Sequence, residues 1–99
     1  MESNPNERIR AHIWVKGRVQ NVGFRAHVEY KALHIGVLGW VRNIGQDTVE
    51  TVAEGTRIQI DEFIEMVKQG PVASRVDEAC IEYEPTTGQL EAFIVKRSL

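Results

Sequence analysis

From Ile9 onward apolar and polar residues alternate, with Ala11, Ile13 and Val15 set against His12, Trp14 and Lys16. That period is the mark of a strand with one well-buried face. A helix is predicted from Gly23 to Ile35, where Phe24, Val28, Ala32 and Ile35 share one stripe and Gly36 can stop the turn. Val37 to Asn43 and Thr48 to Glu54 read as a second and third strand, joined through a hairpin turn at Ile44-Gly45-Gln46-Asp47. The second helix has the clearest signals. Thr56 can cap it with Gln59 three residues on, Ile60, Phe63, Ile64 and Val67 form its stripe, and Gly70-Pro71 end it. In Arg75 to Glu84, Ala79, Ile81 and Tyr83 alternate with Cys80 and Glu82, which gives a fourth strand. Pro85 to Gly88 breaks the chain, and Ala92 to Lys96 reads as a short last strand.

The order β-α-β-β-α-β with an extra strand is the split βαβ, or ferredoxin-like, plan of an α+β protein with a mixed sheet. In that plan the first and second strands are parallel with the third inserted between them, so their carboxyl ends share one sheet edge. Gly17 and Asn43 fall at that edge. Two strand spacings separate them by roughly 10 Å, a gap that an arginine side chain and a bound anion can bridge.

Length and composition narrow the picture. A chain of 99 residues with 42% apolar content suits one domain, here 9–99, preceded by a polar tail at 1–8 that contains Asn4, Pro5 and Asn6. With 12 Lys+Arg against 14 Asp+Glu, the net charge of -2 offers no general pull toward nucleic acid or anionic membranes. Any anion site must be local. The single cysteine, Cys80, cannot form an internal disulfide, the N-terminus has no apolar leader core, and no segment reaches membrane-span length. The expected compartment is the cytoplasm and the expected state a monomer.

The stretch GRVQNVGFR, residues 17 to 25, is the most informative. Glycines at 17 and 23 permit close approach and unusual backbone angles, and the amides from about Arg18 to Phe24 can turn toward one point. The following helix adds its N-terminal dipole, and Arg25 adds a planar fork suited to two phosphate oxygens. Each feature also has a plain structural explanation. A glycine after a strand often only makes a turn, an arginine on a helix often pairs with a carboxylate such as Glu29 at i+4, and an asparagine before a hairpin often belongs to the turn. Their shared placement at one sheet edge favours a phosphate-sized ligand.

GRVQNVGFR resembles the acylphosphatase signature, in which a glycine-bounded loop ends in phenylalanine-arginine. GWVRN at 39–43 followed by TVE at 48–50 resembles that family's second conserved block, and the similarity extends to EG at 54–55 and SRVDE at 74–78. The resemblance implies a ferredoxin-like fold with both helices on one sheet face. It implies that Gly17, Arg18, Val19, Gln20, Asn21, Val22 and Gly23 cradle the phosphate, that Arg25 binds it, and that Asn43 positions the attacking water. Two positions depart from the family pattern: Asn21 and Asp47 stand where glycine is usual. Asparagine tolerates left-handed backbone angles better than most residues.

What the motifs lack also carries information. Neither contains a carboxylate or histidine aligned as general acid or base, there is no plausible catalytic cysteine, and no cluster has metal-ligand spacing. No metal or cofactor is expected. Such a site suits an acyl phosphate, whose carboxylate leaving group departs unprotonated. Two rivals compete with this reading. In one, the domain is non-enzymatic and Trp14, on the sheet face opposite Ile13 and Val15, stacks on an RNA base; no characteristic RNA-binding stretch accompanies it. In the other, the domain is a weak acylphosphatase-like station of a larger carbamoyl-transfer protein, against which a chain ending at Leu99 argues. His12, His27 and His34 read as surface or half-buried residues, and Asp61, Glu62 and Glu65 as the solvated face of the second helix.

Overall fold

The alternation that opens the sequence becomes strand β1 (Arg8–Arg18) in the computed structural model, which describes residues 7–99. Positions 1–6 of the expected tail lie outside the described residues, and the strand starts at Arg8, one residue before Ile9. There follow α1 (Phe24–Ile35), β2 (Leu38–Ile44), β3 (Thr48–Thr56), α2 (Arg57–Gln69), β4 (Arg75–Glu84) and β5 (Phe93–Val95). The sheet order is β4-β1-β3-β2-β5. Because β3 is antiparallel to both β1 and β2, those two are parallel with β3 between them, as the split βαβ plan requires. β5 lies parallel beside β2.

Local sequence accounts for both helices. Gly23 and Gly36 take left-handed angles at the two ends of α1, which any Cβ would disfavour, and Phe24, Val28 and Ala32 are buried a turn apart. Thr56 and Gln59 form the reciprocal capping box at the start of α2. Gln59 Nε2 also donates to the Ile35 carbonyl at 3.2 Å, tying the end of α1 to α2. The buried stripes of the two helices share one core with Ala11, Ile13, Val15, Val41, Val49, Ala53 and Phe93 from a single face of the sheet. Each large side chain fully buried there contributes about 1.5–3 kcal/mol.

Several strand ends differ from expectation: β2 spans Leu38–Ile44, β3 runs on past Glu54 to Thr56, and β5 is limited to Phe93–Val95, but the difference that bears on the cleft lies in β1. β1 runs on through Gly17 and Arg18 instead of ending at Lys16, and its register against β4 shifts between Lys16 and Gly17. Gly17 sits at φ 140°, where an added Cβ would collide with the Arg75 carbonyl. Its glycine is therefore required by the close approach of β4 at a bulge, and the turn proper begins at Val19.

The opposite sheet face carries charge. Arg10 bridges Glu54 at 2.7 Å and Glu84 at 2.9 Å, and Arg42 Nε donates to Glu50 at 2.6 Å. His12 places Nε2 2.7 Å from Glu50 and Nδ1 3.0 Å from Glu84. Both ring nitrogens can donate to these carboxylates only when the ring is protonated. The His12 ring also stacks on Trp14 at 3.9 Å, covering one side of the indole. Arg42 and Lys96 flank Trp40 at 4.8 and 4.4 Å. The Thr87 amide and hydroxyl donate to Glu54 at 3.1 and 3.2 Å, so the segment after β4 is strapped to this face.

These contacts set an acid limit on stability. Burial pushes the Glu54 carboxyl up, but hydrogen bonds from Arg10 and Thr87 outweigh it and hold the group below its ordinary 4.5. Hydrogen bonds from His12 and then Arg10 lower Glu84 in the same way. A carboxylate whose folded pKa is depressed stabilises the fold above its unfolded pKa, and that contribution is lost as pH falls through the folded value. The melting temperature is therefore expected to hold near neutrality and to drop below about pH 4. Thermal denaturation followed from pH 7 to pH 3 measures this, and Glu54→Gln should flatten the acid limb. An equally steep limb in that variant would assign the acid loss elsewhere.

Candidate active site

The carboxyl ends of β1 and β2 meet the start of α1, and an open cleft of about 310 Å³ lies between them. Its walls include Val19, Gln20, Asn21, Gly23, Arg25 and Asn43, six of the residues picked out by sequence. Gly17, Arg18 and Val22 do not line it. The Gly17 amide is already committed to the Asp47 carbonyl at 3.1 Å, Arg18 is an exposed strand residue paired with Arg75, and Val22 packs against the core.

The loop is held open by a few specific features. Val19 is fully buried and anchors its base. Asn21 adopts φ 61°, the left-handed angle that its side chain tolerates and that glycine would adopt without strain. Gly23 at φ 77° turns the chain into α1 with no side-chain cap on the helix N-terminus. Among the described residues, the amides of Gln20 to Gly23 donate to no backbone carbonyl. Together with the uncapped first turn of α1, they form a set of N–H donors beside one cleft.

Two side chains complete the arrangement. Arg25 makes no ion pair with Glu29 or any other carboxylate among the described residues; its one side-chain hydrogen bond is a long one, Nη1 to Ser98 Oγ at 3.4 Å. Its guanidinium edge is thus available to a ligand. Among the described residues, Asn43 Oδ1 is buried without a hydrogen-bond partner. Such an orphan acceptor costs about 1–3 kcal/mol unless a water or ligand satisfies it.

Several cleft residues were not picked out by the motifs. Glu29 supplies the one carboxylate of the cleft wall, and Phe24, Ala26 and Val95 add apolar or small side chains. The chain after β5 continues along β2: the Lys96 amide donates to Val41 at 2.8 Å, Leu99 to Asn43 at 2.9 Å, and Gly45 to the Leu99 carbonyl at 3.0 Å. That ladder brings Ser98 to Arg25. Phe24 and Ala26 flank Arg25 on α1 and Glu29 has the i+4 spacing from it, whereas Val95 and Ser98 depend on β5 lying beside β2.

Fold and cleft define a class: ferredoxin-like α+β domains with a cleft built from a loop, a helix N-terminus and the carboxyl ends of two parallel strands. The family model named Acylphosphatase matches residues 11–95. An acylphosphatase of Syntrophotalea carbinolica is 46% identical over 89 residues, covering 89% of this chain and 96% of that one. The crystal structure of acylphosphatase from Bacillus subtilis superposes with a TM-score of 0.85 at 33% identity, covering 89% of this chain and 98% of that one. An acylphosphatase from Coxiella burnetii gives 0.86 at 33% identity, covering 92% and 94%. The chain belongs to the acylphosphatase family.

Proposed function

We propose that this chain hydrolyses the carboxyl-phosphate bond of small-molecule acyl phosphates, without a metal or other cofactor, as a cytoplasmic monomer. The phosphate sits against the loop amides and the guanidinium of Arg25, which spread its charge over fixed donors. Asn43 Oδ1 accepts a hydrogen bond from a water and aims it in line with the scissile bond. The water oxygen bonds to phosphorus, the carboxylate oxygen leaves with the bonding pair, and the water proton passes to a phosphate oxygen. The carboxylate of an acid with a solution pKa of roughly 4–5 leaves without being protonated, so no general acid is needed. No phosphoenzyme forms.

The observation that carries this reading is the buried Asn43 oxygen, unpartnered among the described residues, in a cleft shared with an Arg25 that pairs with no carboxylate among them. Family membership supports it. The test is phosphate release from benzoyl phosphate with and without EDTA. Fast release at an unchanged rate in EDTA is the expected result, and a folded chain that releases none would overturn the proposal.

A further inference from the structure

Gln20 makes a contact that phosphate binding does not need. Its Nε2 donates to the carbonyls of Ile44 at 3.1 Å, Gly45 at 3.2 Å and Thr48 at 2.9 Å. Three carbonyl oxygens from both arms and the tip of the β2–β3 hairpin thus converge on one amide nitrogen. Only a donor can occupy that position, which settles which way the carboxamide points. The backbone of Gln20 belongs to the cleft loop, and the hairpin it grips begins one residue after Asn43. On its far side the same hairpin is held by Leu99, through the amide of Gly45 and the carbonyl of Asn43.

We infer that Gln20 is a positioning residue, whose side chain braces the phosphate loop against the hairpin and so sets the spacing between bound phosphate and the Asn43 carboxamide. The inference rests on the function proposed above. Loop and hairpin are separate stretches of chain, and the reaction needs the water held by one placed in line with the phosphorus held by the other. Misplacement by about 1 Å is enough to cost on the order of 10²-fold in rate. The loop amides and Arg25 would still hold phosphate without the brace, so its loss should separate turnover from phosphate affinity.

The experiment compares wild type, Gln20→Met, Asn43→Ala and the double variant on benzoyl phosphate, with inorganic phosphate as competitive inhibitor. Methionine matches glutamine in length but has no donor. Gln20→Met should lower kcat by roughly tenfold to a hundredfold and leave the phosphate inhibition constant within about threefold. In the Asn43→Ala background the same change should cost less than about twofold, because residues acting as one unit are not additive. Equal losses of kcat and phosphate affinity, or effects that multiply in the double variant, would overturn the brace. Should Gln20→Met fold poorly, Gln20→Asn keeps the donor one methylene short and should show the same pattern more weakly. An independent readout is the Asn43 carboxamide resonance: phosphate should shift it in wild type and not in Gln20→Met. An undiminished shift in the variant overturns the brace, whereas a wild type that binds phosphate but hydrolyses nothing overturns only the proposed function.

Discussion

Replacing Asn43 by alanine should lower kcat for benzoyl phosphate by about 10²-fold or more, the size of effect seen when one transition-state hydrogen-bonding group is removed. The phosphate inhibition constant should change by less than about threefold, since the proposed role of Asn43 is to orient water and not to hold phosphate. Stability separates this from a folding defect. Asn43 Oδ1 is a buried acceptor with no partner among the described residues, so its removal takes away a desolvated polar group and the variant should melt no lower than wild type. Near wild-type turnover, or a large rise in the phosphate inhibition constant, would remove Asn43 from the role assigned to it.

The second large effect concerns Arg25. Alanine here should cost about 10³-fold in kcat/KM, because in the proposed arrangement the guanidinium touches the phosphate in ground and transition states alike. Phosphate inhibition should weaken in parallel, unlike the Asn43 case. Lysine should restore little: it keeps the charge but replaces the planar two-pronged donor by a point charge on a flexible stem. Steady-state kinetics of both variants, with inorganic phosphate as inhibitor, read out the difference. Recovery of most activity by Arg25→Lys would show that charge alone is used. The contact to Ser98 Oγ, at 3.4 Å, is too weak to explain losses of this size.

Most of the elements are legible because each has a local cause. Thr56 and Gln59 mark a helix start through their own hydrogen bonds, and the limits of β4 at Arg75 and Glu84 follow from alternation and flanking breakers. The core of the cleft is legible for a topological reason: once the first and second strands are parallel, the loop after one must face the end of the other. What escapes is decided by approach between distant segments. The need for glycine at 17 comes from the Arg75 carbonyl on a neighbouring strand, so the position looks like a loop residue although it lies in a bulged strand. The Ser98 and Val95 positions depend on β5 pairing in parallel with β2, which no local signal specifies. His12 offers no ligand or ion-pair spacing along the chain, yet the sheet sets it between Glu50 and Glu84.

The charged lattice on the open sheet face also bears on which strand pairings the chain rejects. A slip of β1 by one residue along β3 would turn every side chain of β1 to the other face of the sheet. Arg10 and His12 would then enter the core, while Glu54 and Glu50 stay with β3 on the open face. A buried charge stripped of its partner costs about 3–5 kcal/mol. The ion pairs act as a combination lock: they add little to the native fold beyond what apolar packing would supply, but they make misaligned sheets expensive.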